Sequence, residues 1–137
     1  KKELRSVFLL GWVMDTAGHI WVDRKNTDSA LKSLRNAKES LMLMPRSILL
    51  FPEGTRTRNG LLAPFKPGGL LIAVDTNMPI VPIAFVGTFE KLEPESWSMN
   101  NNPIELRVGK PISSKGYSIE TRRELANYVR DQVKKLQ

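Results

Sequence analysis

Ser47-Ile48-Leu49-Leu50-Phe51-Pro52-Glu53-Gly54-Thr55-Arg56 is the stretch on which the reading of this chain turns. Ser47 to Phe51 predicts a buried strand, and Pro52, which has no ladder donor, predicts where it stops. A carboxylate, a glycine, a hydroxyl and a guanidinium follow in four consecutive positions. Open α/β sheets place ligands on loops at the carboxyl ends of such strands. Gly54 permits a sharp turn and close approach of a ligand, and Arg56 offers the planar fork of donors that suits phosphate. In an extended segment Arg58 faces the same way. The plainer alternative is a strand followed by a polar turn, with Glu53 and Arg56 paired at the surface.

Elements of both kinds surround this stretch. Upstream, Leu4, Val7, Phe8, Gly11 and Trp12 recur at helical spacing, which predicts a helix over Glu3 to Thr16 ended by Ala17-Gly18. Gly11 marks a break or a close contact within it. His19 to Asp23 reads as a short strand, with Asp23 and Arg24 either pairing or capping the next helix. That helix spans Thr27 to Met44, with Leu31, Leu34, Ala37 and Leu41 as its inner stripe and Pro45 as its stop. Downstream, Asn59-Gly60 predicts a turn, and Pro67 suits the first position of a helix running from Leu70 to Thr76. Met78 to Gly87 reads as a core strand, and Thr88 to Pro103 as a long irregular loop. Ile104, Leu106 and Val108 alternate with Glu105 and Arg107, predicting a half-buried edge strand. Ser118 is the expected cap of a last helix with Leu125, Val129, Val133 and Leu136 inside. Arg122, Arg123, Arg130, Lys134 and Lys135 form its expected solvated face. Strands near 19–23, 47–51, 80–86 and 104–109 alternating with helices predict an α/β fold, a single domain over residues 1–137 with a mixed sheet flanked by helices.

Composition narrows the class of partner. The 137 residues carry 21 basic and 14 acidic side chains, a net charge of +7. That balance favours phosphorylated ligands, an anionic membrane surface or nucleic acid. Aromatic residues are not interleaved with the basic ones and no nucleic-acid motif is visible, so a basic nucleic-acid binder is the weaker reading. Cysteine is absent and there is one histidine, so neither disulfides nor a structural metal is expected. No window approaches the ~20 apolar residues of a membrane span.

Several blocks resemble one known family. Phe51-Pro52-Glu53-Gly54-Thr55-Arg56 is similar to the third sequence block of the glycerolipid acyltransferases, the 1-acylglycerol-3-phosphate acyltransferases. Gly18-His19-Ile20-Trp21-Val22-Asp23-Arg24 resembles the second block, and Val81-Pro82-Ile83-Ala84 the fourth. Lys1-Lys2-Glu3-Leu4 with Gly11-Trp12 resembles the segment just before the second block. Phe65-Lys66-Pro67-Gly68 matches a family Phe-Lys-x-Gly at Lys66 and Gly68. The likeness runs from Lys1 to about Val86.

The resemblance implies a glycerol-3-phosphate acyltransferase-like fold and direct transfer of a fatty acyl group. The donor would be acyl-CoA or acyl-ACP, the acceptor a lysophospholipid hydroxyl, and no cofactor is implied. It places Arg24, Arg56 and Lys1 on the acceptor phosphate, with Glu53, Gly54, Thr55 and Lys66 shaping the acceptor side. Pro82 falls on the acyl-donor side. It also implies a membrane-associated protein on the cytoplasmic side, acting in phospholipid biosynthesis. The family's catalytic pair is a histidine followed, after four intervening residues, by an aspartate, ahead of the Lys-x-Glu-Leu segment. His19 and Asp23 have three residues between them and lie in the second block, so they are not that pair. The chain opens on Lys1, within the amphipathic pattern, and the expectation is an N-terminally truncated piece of an acyltransferase, inactive alone. A phospholipid- or phosphate-binding module without catalysis is the alternative.

Overall fold

The structure, a computed structural model, describes residues 9–17, 19, 36, 38–44, 46–92, 96 and 100–137. They fall into two compact units, residues 1–48 and 49–137. Lys1, Arg24, Asp23 and most of the predicted 19–23 strand lie outside the described residues.

In the first unit, α1 spans Leu10–Thr16. The Thr16 hydroxyl donates back to the Trp12 carbonyl at 2.9 Å, and the Ala17 N–H closes on Val13. Gly11 is buried within the helix, so it marks a close contact rather than a break. Trp12, expected on the inner stripe, is exposed instead. Residues 38–43 are helical with Leu41 buried, and the Arg46 guanidinium donates to the Ser40 hydroxyl at 2.9 Å.

The second unit is built on a helix over a hairpin-like strand pair. After the loop at 51–66, a 3₁₀ turn, Pro67–Leu70, runs into α2, Leu71–Thr76. Pro67 opens that turn because its fixed φ and missing N–H cost nothing at a helix start. Asn77 ends α2 in the left-handed region at φ 53°. Met78 N–H then donates to Ala73 and Asn77 N–H to Val74, the paired bonds of a Schellman cap. Ser114, buried, places its hydroxyl 2.9 Å from the Ala73 carbonyl and 2.8 Å from that of Met78. It ties the later chain to this helix end.

β1 is Ile83–Val86 and β2 is Glu105–Val108. They pair antiparallel, with Ala84 opposite Arg107 and Phe85 opposite Leu106. A single bridge, Ile80 to Ile112, continues the pairing. Pro82 interrupts the ladder between them because it has no N–H to donate; its carbonyl still accepts from Gly109 at 2.9 Å. A short helix, α3 over Thr88–Lys91, opens the β1–β2 connection from Gly87. Gly87 stands at φ 86°, and a Cβ there would run into the Pro103 carbonyl oxygen.

α4, Arg122–Leu136, has Leu125, Ala126, Val129 and Val133 buried. With Phe65, Leu70, Ala84 and Ile112 they form the core, and Leu62, Val74, Ile80, Val86, Tyr117 and Leu136 pack around it. Glu124 in the first turn and Lys134 and Lys135 in the last suit the helix dipole. The Arg107 guanidinium adds donors to the Leu136 and Gln137 carbonyls at 2.9 and 3.0 Å.

The structure departs from the local sequence pattern at three further places. Residues 47–51 form no strand, and Leu49 and Phe51 are 63% and 68% exposed. A strand exists only where a neighbour closes its ladder, and among the described residues nothing pairs with this run. Ile104, just before β2, and Leu106 and Val108 within it are exposed, and Arg107 is the half-buried position. Cross-strand register puts Arg107 on the Ala84 side, toward the end of α4, so the alternation is kept with its sides exchanged. Ser118 does not cap α4. Its hydroxyl accepts from the Glu120 N–H, making a turn before the helix, and Thr121 takes the cap position.

Candidate functional site

The loop after residue 51 is shaped by its own sequence. Gly54 N–H donates to the Phe51 carbonyl at 3.1 Å, closing a four-residue turn with Pro52 and Glu53 at the centre. Proline at the second position and glycine at the fourth are the preferences of a type I turn. Glu53 keeps a negative φ, which excludes type II, and Gly54 follows at φ 75°. The chain therefore leaves the turn in a direction that a residue with a Cβ adopts only under strain.

A second segment returns against the turn. Lys66 N–H donates to the Pro52 carbonyl at 2.8 Å, and Ala63 N–H donates to the Glu53 carboxylate at 2.8 Å. The Lys66 side chain lies across Gly54, so a Cβ built there would come within 3.2 Å of its Cδ, Cε and Nζ. The positive φ favours glycine here, and a Cβ would also make the Lys66 stem shift by a few tenths of an ångström. Between these two feet the loop holds itself. The Asn59 side-chain oxygen accepts from Leu61 N–H at 3.1 Å and from the Thr57 hydroxyl at 3.1 Å. This is the turn expected at Asn59-Gly60, with Gly60 at φ 76°.

Five of the sequence-derived site residues, Glu53, Gly54, Thr55, Arg56 and Lys66, are therefore parts of one small assembly. Thr55 and Arg56 are exposed, as are Arg58 and Lys66. Residues 53–66 carry three cationic side chains, Arg56, Arg58 and Lys66, against one carboxylate. That carboxylate is engaged by the Ala63 amide. A turn presenting exposed cations over a backbone held in place suits a phosphate-bearing ligand in solution or at a surface.

Pro82 stands apart from this loop in the chain. It is buried, and its ring packs where a Cβ on Gly109 would intrude, at 2.8 Å from Pro82 Cγ. His19 is exposed. The expected convergence of Arg24 and Arg56 falls on a residue outside the described set. Among the described residues no group of three or more potential metal ligands occurs, and no helix is long and apolar enough to cross a membrane.

Sequence reasoning missed Arg130. Helical spacing predicts it on the solvated face of the last helix, but it is half-buried and its guanidinium donates to the Ala63 and Leu62 carbonyls at 3.0 and 2.8 Å. The signal was present in the helix period. Arg130 lies one turn beyond the buried, small Ala126 and borders the apolar stripe, where a long side chain can reach over the helix flank.

Comparison with known proteins gives consistent results. The Acyltransferase family model matches residues 1–86. The chain is 33% identical over 120 residues to a 1-acyl-sn-glycerol-3-phosphate acyltransferase of Limnanthes douglasii, covering 88% of this chain and 43% of that protein. It is 33% identical over 135 residues to the enzyme of the same description from Saccharomyces cerevisiae, covering 97% and 45%. With that from Haemophilus influenzae it shares 31% over 135 residues, covering 98% and 55%. The crystal structure of a 1-acyl-sn-glycerophosphate (LPA) acyltransferase, PlsC, from Thermotoga maritima superposes with a TM-score of 0.75 at 28% identity. That match covers 98% of this chain and 54% of the other. The chain spans about half the length of the relatives it matches.

Proposed function

This chain belongs to the acyltransferase family, among the 1-acylglycerol-3-phosphate acyltransferases, and on that premise we propose that it carries the acceptor-binding part of an enzyme acylating a lysophospholipid. The acceptor would be 1-acyl-glycerol-3-phosphate or a near relative. The donor would be the thioester of acyl-CoA or acyl-ACP, with no further cofactor. The observation that carries the reading is the loop at 51–66, which exposes three cations, Arg56, Arg58 and Lys66, and lays the Lys66 side chain over Gly54.

In the reaction, a general base takes the proton of the acceptor's free hydroxyl as its oxygen attacks the thioester carbonyl. The tetrahedral intermediate collapses with loss of the thiolate, which takes up a proton, leaving a new ester. The base that the family resemblance implies is the histidine of a His-x4-Asp pair. The 137 residues hold one histidine, His19, and Arg24 stands where that aspartate would fall. No catalytic residue is therefore assigned here. The chain's own contribution is binding. Arg56 gives a forked contact to the acceptor phosphate, Lys66 a point charge beside it, and Gly54 and Thr55 leave room for the glycerol end. Arg24 and Lys1 join the same phosphate in this proposal, and Pro82 lies toward the donor.

A membrane-associated site on the cytoplasmic side fits a lipid acceptor and a net charge of +7. The test is transfer by the full-length protein from a radiolabelled acyl thioester. Efficient acylation of lysophosphatidic acid, with monoacylglycerol at least about tenfold poorer in kcat/KM for want of the phosphate contact, is the expected result. Equal use of the two acceptors removes the phosphate from the mechanism. Lipid binding without transfer makes the protein a binding module.

A further inference from the structure

Arg130 and Glu53 meet on opposite ends of one peptide group. The guanidinium Nη2 donates to the Leu62 carbonyl at 2.8 Å, and the amide N–H of the same peptide, that of Ala63, donates to Glu53 Oε2 at 2.8 Å. A trans peptide points its C=O and N–H in opposite directions, so a cation and an anion bracket one amide dipole in its favourable sense. Nε of Arg130 takes the next carbonyl, Ala63, at 3.0 Å. Two adjacent carbonyls are thus met by one planar fork, a geometry that arginine supplies and lysine does not.

The residues on the loop side are those of the proposed acceptor site. Glu53 precedes Gly54 directly, and three residues after Ala63 comes Lys66, whose backbone binds Pro52 and whose side chain covers Gly54. The rest of α4 gives the frame: Leu125, Ala126, Val129 and Val133 are buried in the core, so the guanidinium is presented from a helix anchored there.

We propose that Arg130 is the positioning residue of the acceptor loop, holding the Leu62–Ala63 peptide on Glu53 and so setting Gly54, Arg56 and Lys66 for the phosphate. Its acceptor role rests on the reading under Proposed function; its hold on the loop does not. Arg130 touches no substrate in this account. It acts through the peptide and through Glu53.

The experiment uses the full-length protein with Arg130→Ala, Arg130→Lys, Glu53→Gln and the pair Arg130→Ala/Glu53→Gln. Arg123→Ala, an exposed basic position on the same helix, is the control. Hydrogen exchange over residues 53–66 and separate KM values for acceptor and donor are measured. In Arg130→Ala the loop amides should exchange about tenfold faster while those of α4 stay protected, the loss of a charge-assisted bond at one opening. Acceptor KM should rise roughly threefold to tenfold with donor KM unchanged, an indirect effect smaller than losing a direct contact. Arg130→Lys should recover part of both, Arg123→Ala should change neither, and the double variant should be no worse than the worse single one. Unchanged exchange over 53–66 overturns the proposal whatever the kinetics, and so does faster exchange spread over the whole unit. Additive effects of the Arg130 and Glu53 changes overturn the relay. Faster exchange confined to the loop with a flat acceptor KM instead overturns the acceptor reading and leaves Arg130 as the loop's anchor. A wild-type protein without acyl transfer does the same, because the exchange result stands by itself.

Discussion

Two apolar runs, residues 47–51 and 83–86, look alike as sequence and come to different ends. Ile83–Val86 pairs with β2, and its Ala84 is buried against α4. Residues 47–51 pair with nothing among the described residues, and Leu49 lies 63% exposed. The 83–86 run delivers the chain into a packed scaffold, and the 47–51 run delivers it into the cationic turn. An apolar run is a strand only when a neighbour closes its hydrogen bonds. Stability and ligand affinity should accordingly separate between the two regions.

The largest effect expected is on the scaffold side. Leu125, fully buried, is at the centre of the core that backs β1. Leu125→Ala should lower unfolding stability by about 2–5 kcal/mol, the range for leucine cavities, as read from urea melts. A cost below about 1 kcal/mol would show a core loose enough to collapse around the gap.

Next comes the loop. In the full-length enzyme Arg56→Ala should raise acceptor KM about tenfold to a hundredfold, as loss of a charge-assisted phosphate contact of roughly 1.5–3 kcal/mol requires. Donor KM and the melting temperature should hardly move, and Arg56→Lys should restore only part of the affinity. Acceptor binding intact in Arg56→Ala would remove this arginine from the phosphate site.

A smaller effect sharpens the contrast directly. Leu49→Ala in the 137-residue chain should change stability by no more than about 0.5 kcal/mol, as for exposed substitutions in general. A loss as large as that of Leu125→Ala would mean that residues 47–51 are covered in solution and that the two runs are equivalent after all.

The smallest concerns the ion pair on β2. Glu105 and Arg107 meet at 2.7 Å, and the hydrogen bond from Arg107 holds the Glu105 carboxyl below the usual carboxylate range. A carboxyl lowered on folding contributes stability above its unfolded pKa and loses it as pH falls through the folded one. The melting-temperature gap between wild type and Glu105→Gln should therefore shrink on acidification from neutral pH. It should stay slight even at its widest, because the pair is open to water on the Glu105 side and salt screens it. A gap that widened in acid would contradict the sign.

The 137 residues by themselves determined the features that depend on near neighbours. Proline and glycine set the turn at 51–54, Asn59 and Gly60 set the next one, Pro67 opened the 3₁₀ turn, and the period of Leu125, Val129, Val133 and Leu136 gave α4 its inner face. Each follows from φ restriction or from side-chain spacing within a few residues, which no distant contact has to supply. The order of blocks likewise carried the family. Tertiary structure alone decided which apolar run found a partner, that β2 turns Arg107 and not Leu106 toward the α4 side, and that Arg130 binds carbonyls 67 and 68 positions away. A guanidinium on a helix flank has the same local sequence whether it meets water or a carbonyl. The difference lies in what the rest of the chain brings beside it, and in the cost of leaving those carbonyls without a donor once it does.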